Sequence, residues 1–133
     1  MPVILQVLFI ASLLPILSAW VGGYYRVKQF GKFDNHYPRQ QQAQLTGIGA
    51  RAMGAQANSW EALMMFTVAV VIAIGTGLDL NTLTVPALVF LVARVGYIAL
   101  YLADKATPRS LVFVVGAGAC LWIVAKAAMQ HAV

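Results

Sequence analysis

The chain has 133 residues, is 61% hydrophobic and 10% charged, and carries a formal net charge of +5. Soluble domains are about 25% charged, so the composition excludes an ordinary soluble fold, and the length excludes a separate soluble catalytic domain. The basic residues sit mostly in segments flanking apolar runs, where positive charge sets membrane topology; this argues against a nucleic-acid partner.

The first apolar segment predicts a spanning helix over 3–25. Leu17-Ser18-Ala19 loosely resembles a cleavage site, but no basic region precedes the run and it continues too far for a signal peptide. It is read as a retained span, kinked at Pro15, with Trp20, Tyr24 and Tyr25 forming an aromatic belt at its end. A long polar loop is expected over 26–45, holding Arg26, Lys28, Lys32, Asp34, His36, Pro38, Arg39 and the run Gln40-Gln41-Gln42.

The second span is predicted over 47–75, with Thr46 as N-cap and Gly75-Thr76-Gly77 at its end. The third is predicted over 82–103, with Pro86 in its first turn, where proline is tolerated. Asp104 is expected to cap that helix or to pair with Lys105 or Arg109. The fourth span is predicted over 108–129. The expected fold is therefore all-α: an integral membrane four-helix bundle forming one domain over 1–133.

Cationic residues cluster between the first and second spans, and again between the third and fourth. The positive-inside rule then puts both termini on the non-cytoplasmic side. It also points the start of span two, the end of span three and the start of span four at the cytoplasm. Cys120 has no partner for a disulfide, and His36 and His131 have no neighbours at ligand spacing, so no metal is expected.

The polar residues inside the spans carry the functional signal. At about 100° per residue, Arg51 and Asn58 lie about 20° apart around the second span, and Glu61 about 80° from Arg51. Gly54 and Ala55 lie near the same face, with Gln56 more lateral. On the third span Arg94, Tyr97 and Tyr101 fall within about 60° of one another. A charge buried in a bilayer needs a partner or a cavity, and Glu61 is the expected counter-ion of Arg94. Arg109 and Ser110 start the fourth span. Such groups can simply hold helices together by hydrogen bonds. Alternatively, converging arginines, an amide, an acid and two phenols make a pocket for a small polyanion, because the guanidinium fork binds carboxylates in a bidentate way.

Arg51-Ala-Met-Gly-Ala-Gln-Ala-Asn58-Ser-Trp-Glu61 resembles the second-helix signature of the MAPEG family, membrane-associated proteins in eicosanoid and glutathione metabolism. Arg94-Val-Gly-Tyr97-Ile-Ala-Leu-Tyr101 is similar to the family's third-helix motif, and Pro108-Arg109-Ser110 to its fourth-helix start. The resemblance implies a homotrimer in contact with membrane lipids, with glutathione as co-substrate bound between subunits near the cytoplasmic face. It implies that Asn58, Glu61, Arg94, Tyr97 and Tyr101 bind glutathione, with Arg51 and Gln56 flanking it and Arg26 contributing. Arg109 matches the arginine that activates the thiol in catalysis. Two positions depart from the pattern: Gly54 stands where several glutathione-binding members carry arginine, and Ala62 where an aromatic often follows the acid.

The expected activity is a glutathione-dependent transferase or peroxidase acting on a hydrophobic small-molecule substrate, a lipophilic electrophile. The alternatives are a non-catalytic lipid-binding or scaffold member of the same fold and, from a different class, a small proton-coupled multidrug transporter. In the transporter the membrane acid typically lies in the first span, which here contains none.

Overall fold

A computed structural model describes residues 1–130; His131 lies outside the described residues. The elements are α1 (Val3–Phe30), α2 (Pro38–Ala43), α3 (Gly47–Gly75), α4 (Thr84–Leu102) and α5 (Ala106–Met129), with a 3-10 turn at Leu80–Leu83 before α4. Among the described residues there is no strand. Among the described residues, four helices are long and apolar enough to cross a membrane: α1, α3, α4 with its leading turn, and α5.

The first helix runs to Phe30, past the expected end at 25. Nothing after Tyr25 breaks a helix until Gly31, which takes φ 73° and donates its N–H to the Val27 carbonyl at 2.8 Å. The expected loop is likewise shorter, because Pro38 begins the short helix α2. Asp34 organises the turn between them: its carboxylate accepts the N–H groups of His36 at 2.9 Å and Tyr37 at 3.0 Å. Those two bonds hold its pKa below the usual carboxylate value.

Thr46 occupies the N-cap position of α3, but its hydroxyl does not cap the helix; it bonds Gln29 Oε1 at 3.2 Å. At the other end of α3, Gly77 adopts φ 68°. There Leu78 N–H reaches the Ala73 carbonyl at 3.1 Å and Gly77 N–H the Ile74 carbonyl at 3.0 Å, a Schellman stop. Asp79 caps the 3-10 turn by accepting from Asn81 N–H at 3.0 Å. The end of α4 repeats the Schellman pattern with Asp104 at φ 60°, where Lys105 N–H meets the Leu100 carbonyl at 2.9 Å. The last helix starts at Ala106 rather than 108, because Pro108 fits the first turn without an N–H.

In lipid, apolar burial is no driving force, since acyl tails are as apolar as leucine; close packing and polar contacts hold the spans together. The buried face of α3 shows how. Ala52, Ala55, Ser59, Ala62, Phe66, Ala69 and Ala73 recur at helical spacing, mostly as small residues that let neighbours approach. Helix α1 lies chiefly against α3, and α4 against α5, with α3 also meeting α4 and α5. Phe66 and Phe90 stack at 4.1 Å in the apolar half of the bundle, where Ile4, Val7 and Ile123 join them. The other half, formed by the end of α1, the start of α3, the end of α4 and the start of α5, collects the polar residues.

Candidate functional site

Three helices contribute to one series of contacts at the polar end. Glu61, on α3, accepts from Asn58 Nδ2 through Oε2 at 3.1 Å. Asn58 turns its amide oxygen to α4 and accepts from Arg94 Nη2 at 2.9 Å. The Arg94 guanidinium lies 4.4 Å from the centroid of Tyr97. Tyr97 meets Tyr101 edge-on at 5.7 Å. The Arg109 guanidinium, from α5, then covers the Tyr101 ring at 4.2 Å. The helical spacing 94, 97, 101 explains the α4 portion: one residue per turn on one side, each facing the next.

Arg94 is 3% exposed and its Nε has no hydrogen-bond partner. A buried guanidinium with an unmet donor is costly in any apolar surrounding. The expectation that Glu61 pairs directly with Arg94 is corrected: the Asn58 amide stands between them, donating to the acid and accepting from the base. Asn58 and Glu61 are one helical turn apart on the same face, so the amide reaches both. Glu61 itself is exposed on the bundle surface.

The Tyr101 phenol fills the space beside Gly54. A Cβ at position 54 would lie 2.7 Å from Tyr101 Cζ and closer still to its hydroxyl. Gly54 is therefore the seat of Tyr101, and no side chain can stand there while the phenol keeps its place.

Arg51 leaves the stripe it shares with Asn58. Its Nε donates to the Leu102 carbonyl at 3.2 Å and its Nη1 pairs with Asp104 at 3.6 Å. Asp104, expected to cap the end of its helix or to pair with Lys105 or Arg109, thus pairs across to α3. Arg51 satisfies the end of α4, where carbonyls lack helical partners. Gln56 is half-buried on α3.

Arg26 lies apart from the series and is 2% exposed. Its Nε donates to Gln41 Oε1 at 2.9 Å, its Nη2 to the Asp34 carbonyl at 3.0 Å, and its guanidinium lies over Phe33 at 3.8 Å. Gln41 also accepts from Asp34 N–H at 3.0 Å and donates to the Lys32 carbonyl at 2.9 Å. This node fixes the segment between α1 and α3. Sequence reasoning missed Gln41, read as part of a polar run, and Phe113, whose ring stands 6.2 Å from Tyr97; an isolated apolar residue in a span gives no signal. Among the described residues no group of three His, Cys, Asp or Glu side chains could hold a metal ion.

The sequence profile described as the MAPEG family matches residues 3–129, which spans every helix and every residue of the contact series. The chain belongs to the MAPEG family. No curated protein and no solved structure matches it. Four apolar helices of spanning length agree with an integral membrane protein of the MAPEG family. The association of that family with glutathione gives the polar end of this bundle a ligand against which to be weighed.

Proposed function

We propose that this MAPEG protein is a membrane-bound glutathione-dependent transferase or peroxidase acting on lipophilic electrophiles. The observation that carries this reading is the unbroken series Glu61, Asn58, Arg94, Tyr97, Tyr101, Arg109, with a donor of buried Arg94 left unmatched. Glutathione, when bound, supplies a thiolate that adds to an electrophilic carbon or reduces a hydroperoxide.

The side chains fit such a ligand by charge. Glu61 is the one acid and suits an ammonium. Arg94 and Arg109 suit carboxylate and thiolate groups, and Asn58 and the two phenols offer further hydrogen bonds. Arg109 is proposed as the residue that holds the sulfur in its charged form. A free thiol has a pKa near 8.5, roughly, and a neighbouring guanidinium favours the thiolate. Arg51 and Gln56 would flank the ligand, with Arg51 holding the end of α4. Arg26 would act through the segment it fixes.

A homotrimer is part of the proposal. Glu61 is exposed on a single bundle, within a spanning helix. A carboxylate facing lipid is costly, and a neighbouring subunit with ligand at the interface removes that cost. By the positive-inside rule, both termini would lie outside the cytoplasm and the polar end would open to it.

Calorimetric titration with glutathione, with assays of conjugation and of lipid-hydroperoxide reduction, tests the reading. No binding and neither activity would sink it. The second reading, a non-catalytic lipid-binding member of the family, draws on Tyr101 filling the space at Gly54, which leaves the site one cation fewer than an arginine there would provide. It expects lipid binding and no heat on titration with glutathione.

A further inference from the structure

Between the end of α1 and the start of α3 the chain carries four cations, Arg26, Lys28, Lys32 and Arg39, and one acid, Asp34. Arg26 is buried and held by Gln41 and the Asp34 carbonyl. Asp34 is committed through Oδ1 to the N–H groups of His36 and Tyr37. The other three cations are exposed. Lys28 leans toward the Tyr25 ring at 5.7 Å and Arg39 donates to Gln42 Oε1 at 3.4 Å, contacts that bring no negative charge. Among the described residues none of the three enters an ion pair; the pair that forms is Arg51 with Asp104.

These cations stand on a fixed backbone. Gln41 Nε2 donates to the Lys32 carbonyl at 2.9 Å. Gln29 ties the end of α1 to the approach to α3, donating to the Gln44 carbonyl at 3.0 Å and accepting the Thr46 N–H at 3.1 Å. Setting topology requires only that positive charge lie near a span. A surface ordered in this way can also bind without the entropic cost of ordering a loop.

Beneath the cations lies an aromatic face. Trp20, Tyr24 and Lys28 recur every four residues, so they share one side of α1. Along the axis Lys28 lies about 6 Å beyond Tyr24 and about 12 Å beyond Trp20. Phe33 folds back over the helix: its ring centroid is 3.8 Å from the Arg26 guanidinium, and its Cε2 is 3.8 Å from where a Cβ at Gly23 would stand. Trp20, Tyr24 and Phe33 are each more than half exposed. Such rings settle at the boundary between hydrocarbon and headgroups. The headgroup layer is roughly 5–8 Å thick on each side of a bilayer, so rings at its inner edge put Lys28 at the level of the phosphates.

We infer that the end of α1 and the segment leading into α2 bind an anionic phospholipid. Lys28, Lys32 and Arg39 take the headgroup, and the acyl chain runs down the face of Tyr24 and Trp20. The uncompensated positive charge selects an anionic headgroup over a zwitterionic one. The aromatic face selects a lipid over a soluble acidic protein, which would leave the rings uncovered. The inference needs the spans but not glutathione.

The test reads Trp20, which lies where the acyl chain of that lipid passes. Full-length protein carrying Trp60→Phe and Trp122→Phe keeps it as the sole tryptophan. This protein is placed in nanodiscs of phosphatidylcholine containing a small fraction of chain-brominated phosphatidylglycerol or, separately, of chain-brominated phosphatidylcholine. The anionic lipid should quench Trp20 at a mole fraction lower by roughly fivefold, the size expected when one cation meets an anionic headgroup. The preference should shrink at high salt. Lys28→Gln, Lys32→Gln and Arg39→Gln together should erase it, and the charge-conserving set Lys28→Arg, Lys32→Arg and Arg39→Lys should keep it. Lys126→Gln, at the other end of the bundle beside Thr82, should not alter it. Circular dichroism checks that each variant keeps its helices. Equal quenching by the two lipids, a preference that salt does not weaken, or one that survives the triple glutamine variant overturns the inference. Binding of polyglutamate to the protein in neutral nanodiscs, together with equal quenching, overturns it in favour of an acidic protein partner.

Discussion

Tyr101 and Gly54 are a matched pair: the phenol of one occupies the space in which a side chain of the other would begin, with Cζ 2.7 Å from the position of a Cβ. The contact joins α4 to α3 at the level of the polar series and also orients the ring that Arg109 covers. Gly54→Ala should therefore destabilise the protein by about 1–3 kcal/mol through overpacking. Gly54→Arg should not restore an extra anion contact, because it displaces Tyr101. Thermal unfolding and glutathione titration of both variants check this; tighter glutathione binding by Gly54→Arg would refute it.

Arg109→Ala should lower turnover by about 10²-fold or more, as expected when a group that stabilises developing or fixed negative charge is removed. Glutathione affinity should fall much less. The pH dependence identifies the cause: rate should rise with pH toward the thiol's own value of about 8.5 in the variant, and at lower pH in the wild type. Pre-steady-state measurement of thiolate absorbance against pH reads this directly. Identical profiles would remove Arg109 from that role.

Asn58→Leu should be costly, because Arg94 Nη2 loses its acceptor while remaining buried. Hydrogen bonds to charged groups are worth about 1.5–3 kcal/mol, and an orphaned buried charge costs at least that. Glu61→Gln, by contrast, leaves the Asn58–Arg94 bond in place and should reduce ligand affinity with little change in stability. Thermal unfolding with parallel glutathione titration separates the two variants. Equal stability loss in both would mean that the acid, not the amide, holds Arg94.

Gln41→Ala removes the side chain that links Arg26, Asp34 and Lys32. It should cost about 1–3 kcal/mol by leaving Arg26 and backbone groups unmatched, with glutathione affinity unchanged. A large loss of affinity without loss of stability would show instead that Arg26 touches the ligand.

Asp34 sets a pH dependence of known sign. Its pKa in the folded chain is lowered, first by the Tyr37 N–H and then by the His36 N–H. The stabilisation is present above the ordinary carboxylate value of 3.8 and is lost as pH falls through the lowered folded value. Asp34→Ala should therefore flatten the acid limb of a stability–pH curve and leave the neutral region offset but parallel, as followed by thermal unfolding from neutral to acidic pH.

Apolar length and spacing made the four spans legible, as did the facing of Arg94, Tyr97 and Tyr101 along one side of a helix. What the spacing could not reach was the partner across a helix boundary. A wheel drawn for α3 puts Arg51 beside Asn58, but it does not know that α4 ends near Arg51 with unmet carbonyls, so the diversion to Leu102 and Asp104 was invisible. The same limit hid Asn58 as the link between Glu61 and Arg94. Gln41 was unreadable because one glutamine among three in a polar run differs from its neighbours only by what folds over it. The longer α1 had a signal in the absence of any breaker before Gly31, outweighed by its charged residues.

The Phe66–Phe90 stack lies one to two turns deeper than Arg94 and Asn58, and the apolar core continues behind it. The polar series thus ends at the stack. It runs toward one end of the bundle and stops at two stacked rings, behind which the described core residues are Ile4, Val7, Ile123 and their apolar neighbours. The stack therefore divides the bundle into a half whose contacts are made by charge, amide and phenol and a half whose contacts are made by hydrocarbon alone.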